Sequence, residues 1–427
     1  MMSPVAVLYS AFAHLVLFLA KPFPFHIPVT NVDDILPQHR FIASKGHANL
    51  AIVTGSNTGI GFETASSLVH QGYTVILACR SRDKGQIAAD KINKSVEVEA
   101  SNNDSDVTKD TSNKSVGRAE FLHPLDLSSL KSVQSFSQAF TEKYTHLNIL
   151  VNNAGTNSGG KSIDGMDLCF QTNFVGHYLL TRLMLPRLLK AKNFFHNKDS
   201  TPTTANEEDM EAGRVVNLSS VTHHFAGCNE SRNGGDDYTN KTGTPDAAWW
   251  RATSVPDVSG NTYKESKLAA LLFTHALNKR FKSEGLKAVS ANPGSVNSDI
   301  WRNFPGYMDR VHRILYLDSK QGAATSIAGA VSKLPEGAVY LQPYWQPFKN
   351  VRQKVSEGLT NSVGLNRSFG NRWYSIPVPL TEMLGSCIGY AITEPRLPLD
   401  PDGSSDALWK VCEELVGGME GENTGEK

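Results

Sequence analysis

Tyr263 and Lys267, four apart in the run Tyr-Lys-Glu-Ser-Lys, are the residues of this chain best spaced to do chemistry together. On a helix, positions i and i+4 share a face. A Lys ammonium beside a phenol favours the phenolate by charge attraction. A phenol ordinarily titrates near pH ~10, so such a neighbour moves it toward use as a general acid or base. The same spacing occurs on many solvated helix faces, so the pair needs supporting residues. Upstream, the apolar run Val215-Val216-Asn217-Leu218 ends in Ser219 and Ser220, two hydroxyls at a candidate strand end. Asn173, in Gln171-Thr172-Asn173-Phe174-Val175-Gly176, is a polar residue inside an apolar helical stretch, where its amide must find partners.

A second group suits phosphate. Thr54-Gly55-Ser56-Asn57-Thr58-Gly59-Ile60-Gly61 follows directly on the apolar run Ala51-Ile52-Val53 and opens a helical stretch, Gly61 to Gln71. Glycines are needed where a chain turns with positive φ and where backbone must approach a pyrophosphate closely. The helix start then offers free N–H groups and partial positive charge. The next candidate strand, Thr74 to Ala78, ends in Cys79-Arg80-Ser81-Arg82. Dinucleotide folds that prefer NAD place an acid there for the ribose 2′-hydroxyl. Arg80 stands there instead, and a guanidinium suits a 2′-phosphate. The cofactor these residues favour is NADP(H).

The elements that must position these groups can be read as well. Ala51–Val53, Thr74–Ala78, Ile149–Val151, Val215–Leu218 and Ala288–Ser290 are short, continuous apolar runs. Such strands are buried on both faces, as in a parallel sheet. Helical stretches such as Ser129 to Lys143 lie between them. Strand–helix alternation predicts an α/β fold, a doubly wound parallel sheet of the Rossmann type.

The glycine spacing, GxxxGxG after a Thr, resembles the short-chain dehydrogenase/reductase family, and further motifs follow in that family's order. Leu125-Asp126-Leu127 resembles its strand-end Asp on the adenine side, and Asn152-Asn153-Ala154-Gly155 its NNAG motif. The resemblance implies that Asp126, Leu127, Asn153, Ala154 and Gly155 line the adenosine side. It implies that Asn173 holds a water relaying protons to Lys267, that Ser220 bonds the substrate oxygen, and that Tyr263 and Lys267 also bind cofactor. Asn292-Pro293-Gly294-Ser295-Val296 with Ser298 resembles the PGxVxT motif beside the nicotinamide amide, with Ser for the usual Thr. Pro293, Gly294, Val296 and Ser298 are the cofactor contacts it implies. The matches run from Ala48 to about Ala330. Arg80, the run Ser266 to Ala269 and the late Ala407-Leu408-Trp409 are most similar to the retinol-dehydrogenase-like branch. That branch implies a lipophilic carbonyl substrate, retinoid-like, and frequent membrane anchoring. Family members often pair helices across a homodimer, and membrane-bound ones vary. Light-dependent protochlorophyllide reductases are similar too, but usually carry a Cys beside the Tyr-Lys stretch, where Leu268 and Ala269 stand here. A non-catalytic scaffold that keeps NADPH as a structural ligand is the other reading. Intact Asn173, Ser220, Tyr263 and Lys267 speak against it.

Charge and punctuation bound the remainder. In 427 residues, 42 basic side chains balance 42 acidic ones, which removes any general electrostatic case for nucleic acid. Five scattered cysteines without a CxxC pair suggest neither a disulfide frame nor a zinc site, and no metal is expected. Val5 to Ala20 is almost wholly apolar, with Lys21 closing it and no basic region before it. It is shorter than the ~20 residues a spanning helix usually needs. Residues 1–21 read as a hydrophobic anchor or leader, for the endoplasmic reticulum or another organelle membrane, with a cytoplasmic location as the alternative. Residues 22–47 read as a linker and 48–343 as the catalytic domain. Residues 96–117 and 193–213 are polar and read as solvated insertions, whereas 226–260, with Trp249-Trp250, reads as an ordered loop near the active site. Residues 344–427 read as an extension packing on the catalytic domain, aromatic- and Pro-rich to Pro398, with no period for helix or strand there.

Overall fold

The computed structural model describes residues 39–43, 49–103, 117–191, 193–197, 210–226, 244–257, 262–294, 296–297, 317–332, 334, 340–343, 390–392, 397–398 and 400–417. The five apolar runs become strands of one sheet: β2 (Leu50–Thr54), β3 (Thr74–Ala78), β5 (Ile149–Asn152), β8 (Arg214–Leu218) and β9 (Lys287–Ala291). β4 (Arg118–Glu120), β10 (Tyr340–Pro343) and β11 (Tyr390–Ile392) complete the order β11-β10-β9-β8-β5-β2-β3-β4. Seven strands are parallel, and β11 adds an antiparallel edge on β10.

Alternation along each strand feeds two cores, because successive side chains leave opposite faces. Ala51, Val53, Val75, Leu77, Ile149, Val151, Val216 and Leu218 face one core, with α1 (Gly59–His70), α2 (Arg82–Asn103) and α7 (Ser319–Val331). Leu50, Ile52, Ile76, Leu150 and Val215 face the other. Its helices are α3 (Leu130–Lys143), α4 (Gly176–Leu189), α5 (Ala247–Ser254), α6 (Tyr263–Phe281) and α8 (Pro401–Val416). Leu168–Phe170 and a π turn, Gln171–Val175, lead directly into α4. From β2 the chain winds one way to β3 and β4, then returns to β5 and winds the other way. The carboxyl ends of β2 and β5 therefore flank the switch point where open α/β sheets bind ligands.

The presumed punctuation differs in places. Residues 96–103, the start of a stretch read as a solvated insertion, are largely exposed but helical, the last turns of α2. The segments at 39–43, 193–197 and 210–211 are strands β1 (His39–Ala43), β6 (Asn193–Asn197) and β7 (Met210–Glu211) of a separate antiparallel sheet, ordered β1-β6-β7. The physical reason is pairing at long range: Ala43 faces Asn193 across the ladder, and no local pattern encodes that partner. Within 226–260, α5 is helical and buries Trp249 and Trp250 in the core. Among the described residues no helix is long and apolar enough to cross a membrane. Val5 to Ala20, where the sequence places an anchor, lies outside them.

Candidate active site

The glycine turn departs from β2 as its residue types require. Gly55 and Gly59 adopt φ of 66° and 60°, which L side chains rarely tolerate. A Cβ on Gly61 would lie 2.4 Å from Asn153 Nδ2 and 2.5 Å from the Gly55 carbonyl oxygen, so only hydrogen fits. Thr58, the N-cap of α1, makes no side-chain cap bond, which leaves the first N–H groups of the helix uncapped by it. Ser56 is fully buried and its Oγ has no partner among the described residues. A buried hydroxyl without a partner beside open helix N–H groups fits a phosphate oxygen as acceptor. Asn57 and Ile60 are partly buried in the same turn.

Thr54, the last residue of β2, ties this turn to the end of β5. Its Oγ1 accepts from the N–H groups of Asn153 and Ala154, both at 2.9 Å. Asn153 Nδ2 returns a bond to the Thr54 carbonyl at 2.7 Å. His177 Nε2 lies 2.8 Å from the same Thr54 hydroxyl, and Nδ1 lies 2.9 Å from the Asn173 carbonyl oxygen. A carbonyl only accepts, so Nδ1 carries the proton; Nε2 then accepts from Thr54. Burial, above all, holds this imidazole down at about 4, so it stays neutral.

Across the cleft, five predicted residues come together. Asn173 sits in the π turn, a local widening often found at functional sites. Its Nδ2 donates to the Thr156 carbonyl at 2.9 Å and to Ser266 Oγ at 3.0 Å. Its Oδ1 accepts from the Thr156 N–H at 2.7 Å. Gly155 lies beside it: a Cβ there would stand 3.4 Å from Asn173 Oδ1 and 3.7 Å from Lys267 Nζ, in ordinary contact with both. Tyr263 and Lys267 begin α6 on one face, the ammonium 5.4 Å from the ring centroid. Of the two serines, Ser219 is buried and donates to the Lys267 carbonyl at 2.9 Å. Ser220 hydrogen-bonds the Tyr263 side chain in the sense that favours phenolate.

The electrostatics depart from the sequence expectation. Lys267 Nζ donates to the Leu218 carbonyl at 3.0 Å. Burial lowers Lys267 to about 8, because desolvation penalises the ammonium. Burial raises Tyr263 above the ordinary phenol value, the nearby Cys169 adds to the rise, and Ser220 opposes it. Cys169 is itself pushed up to about 12 by burial first and the Asp167 charge second.

The remaining candidates flank this cluster. Arg80 is exposed just past β3 and has no ion-pair partner among the described residues. Asp126 Oδ1 accepts from the Ser128 N–H and hydroxyl at 2.9 and 2.7 Å. Leu127 is buried, its carbonyl 2.5 Å from where a Cβ on Gly176 would stand. Past β9, Gly294 (φ 79°) follows Pro293 and donates its N–H to Asn292 Oδ1 at 3.0 Å, and Val296 bridges to Leu317. Ser298 lies outside the described residues.

Sequence reasoning missed His177, Asp167 and Thr262. His177 carried a signal, since a histidine four residues past Asn173 shares its helix face. Thr262 sits before Tyr263 in a pattern that reads as an ordinary helix cap.

A family model for short chain dehydrogenases matches residues 49–119 and 113–231. Retinol dehydrogenase 11 of Mus musculus is 33% identical over 289 residues, 66% of this chain and 73% of that one. The Homo sapiens protein of the same name is 32% identical, covering 70% and 80%. A crystal structure of an uncharacterized protein from Mycobacterium paratuberculosis shares the fold at TM-score 0.50 and 22% identity, covering 88% of this chain and 96% of that one. The motifs, the doubly wound sheet and these relatives agree: the chain belongs to the short-chain dehydrogenase/reductase family of oxidoreductases, in its retinol-dehydrogenase-like branch.

Proposed function

We propose that the chain is an NADP(H)-dependent oxidoreductase that interconverts a lipophilic carbonyl compound, a retinoid-like aldehyde or ketone, and its alcohol. The carrying observation is the convergence of Ser220, Tyr263, Lys267 and Asn173 beside the glycine turn. The retinol dehydrogenase names of the relatives support the substrate class. Gly55 to Gly61 would cradle the pyrophosphate, with Ser56 Oγ and the α1 N–H groups donating. Asp126, Leu127 and Asn153 to Gly155 would line the adenosine side, Arg80 would meet the 2′-phosphate, and Pro293, Gly294, Val296 and Ser298 the nicotinamide amide. NADPH supplies the hydride when bound.

The chain's own groups do the rest. In reduction, negative charge grows on the substrate oxygen, and the Ser220 and Tyr263 hydroxyls donate to it there. Tyr263 hands over its proton. The Lys267 ammonium stabilises the phenolate left behind, and Asn173 orders the proton path back to Lys267. Oxidation runs the same path in reverse. Residues 5–20 would anchor the chain on an internal membrane, where such substrates partition.

NADPH oxidation measured over a panel of aldehydes and ketones, retinal among them, tests the reading. Wild type is expected to turn over at least one lipophilic aldehyde, and Tyr263→Phe to lose about a hundredfold or more. Equal turnover by both proteins, or none by either, overturns it and favours a non-catalytic NADPH-binding role. Arg80→Glu is expected to shift preference from NADPH toward NADH, and an unchanged ratio removes Arg80 from the cofactor site.

A further inference from the structure

Thr262-Tyr263-Lys264-Glu265 has the Thr-x-x-Glu form of a capping box. In that box the Thr hydroxyl accepts from the third helical N–H and the Glu reaches back to the cap. Thr262 is indeed the N-cap of α6, yet it makes no side-chain cap bond. Its hydroxyl instead donates to Asp167 Oδ1, at 2.5 Å and 95 positions away in sequence. Glu265, the other half of the box, is buried with Oε2 unpartnered among the described residues. The active-site helix has given up the usual stabilisation of its start in favour of a distant contact.

Asp167 is a junction. Both it and Thr262 are fully buried. Its Oδ1 also accepts from the Phe170 N–H at 2.9 Å, capping the helical run that carries Asn173 six residues later. Its backbone N–H donates to the carbonyl of Ser254, the last residue of α5, at 2.8 Å. One carboxylate therefore joins the first turns of the two helices that hold Asn173 and the Tyr263–Lys267 pair. A second link runs parallel to it: Asn173 Nδ2 donates to Ser266 Oγ, which donates to the Tyr263 carbonyl at 2.7 Å. Charge-assisted bonds of this kind are short and directional. A misplacement of about 1 Å at a reacting group can cost a hundredfold in rate.

We infer that Asp167 and Thr262 are positioning residues, a buried tie that sets where Tyr263 stands relative to Asn173 and the reacting oxygen. The inference rests on the catalytic reading of Tyr263 given above. Thr262→Val removes only the hydroxyl and keeps the shape. It is expected to lower single-turnover reduction by about tenfold, with NADPH affinity by fluorescence titration within twofold of wild type. Thr262→Ser restores the bond and the rate. Asp167→Asn keeps an acceptor for both Thr262 and the Phe170 N–H but drops the charge, and falls between. A folded Thr262→Val protein with the wild-type rate, or a Ser variant as slow as Val, overturns the tie as a positioning device.

A readout independent of turnover separates this from the catalytic reading. In hydrogen exchange, Thr262→Val is expected to speed exchange in residues 168–175 as well as 262–268, and Thr262→Ser to reverse both. Exchange that changes only around residue 262 overturns the tie itself. If exchange shows the coupling while wild type reduces no carbonyl compound, the tie stands and the catalytic reading falls.

Discussion

The switch-point edge of the sheet and the outer face covered by α8 are built on opposite plans. At the edge, geometry is set by short contiguous stretches, Thr54 to Gly61 and Asn152 to Gly155, and by backbone: positive φ, missing Cβ atoms and main-chain bonds to Thr54. On the outer face nothing is contiguous. Trp409 of α8 has the guanidinium groups of Arg280 at 4.5 Å and Arg182 at 5.3 Å from its ring, and the Tyr178 and Phe273 rings at 5.3 and 5.9 Å. Glu413 accepts from Arg182 Nε at 3.0 Å and from the Tyr178 hydroxyl, more than 230 positions away. Leu408, Val411, Cys412 and Val416 enter the core beneath. The edge is specified by what residues lack, the face by what distant residues bring. Damage to the first should therefore appear in ligand binding, and damage to the second in stability.

Two substitutions set these plans against each other. Gly61→Val places side-chain atoms where Asn153 Nδ2 and the Gly55 carbonyl stand. NADPH affinity is expected to fall about a thousandfold, roughly 4 kcal/mol, by fluorescence titration. Trp409→Ala removes a large ring and its two cation contacts. It is expected to cost about 3 kcal/mol in urea unfolding and to leave NADPH affinity within a few fold. The comparison breaks if Trp409→Ala weakens NADPH as strongly as Gly61→Val does.

The same contrast explains how much could be read in the sequence. The five strands were legible because a buried parallel strand is a contiguous apolar run, and the glycine turn because φ and close approach restrict residue type locally. The motif resemblance put the substrate-side role on Ser220 rather than Ser219, and in the fold Ser219 is occupied on the Lys267 carbonyl. Thr262 was not legible: its local pattern is that of an ordinary helix cap, and the partner of its hydroxyl lies 95 positions upstream. The β1-β6-β7 sheet was invisible because each strand is short and its partner remote. The Tyr263–Lys267 spacing gave the shared face but not the protonation behaviour, since burial acts on both groups against their charged forms.

Burial of Lys267 gives the edge a pH signature in the range from about 8 to 10.5. Its value falls from 10.5 in a free chain to about 8 in the fold. Below about 8 both folded and unfolded chains carry the proton, and the cost of burying the ammonium is fully present. Between about 8 and 10.5 the unfolded chain binds more proton than the fold does, so stability rises with pH there. Tyr263, raised by burial, acts with the opposite sign above about 10, where the unfolded phenol ionises first. Urea unfolding of wild type and Lys267→Met between pH 7 and 10 tests this, and the rise is expected to flatten in the variant. In reduction, kcat/KM is expected to fall as pH passes about 8 and Lys267 loses its charge. A rate constant through that range removes the ammonium from the mechanism.

The smallest effects lie within the outer face, where burial again decides. The Arg251–Glu414 pair is bidentate at 2.8 Å but roughly half exposed on both sides. Water and salt screen it, so Glu414→Gln is expected to leave the unfolding midpoint where it was. Glu413 and Arg182 are only 33% and 25% exposed, and Glu413 also accepts from the Tyr178 hydroxyl, whose phenol burial holds in the neutral form. Glu413→Gln keeps an acceptor but drops the charge, and is expected to cost about 1 kcal/mol. A double-mutant cycle with Tyr178→Phe should return a coupling energy between these two positions, and one between Glu414 and Arg251 should return none. Equal coupling in both cycles would mean that charge pairing alone, regardless of burial, holds α8 on the catalytic helices.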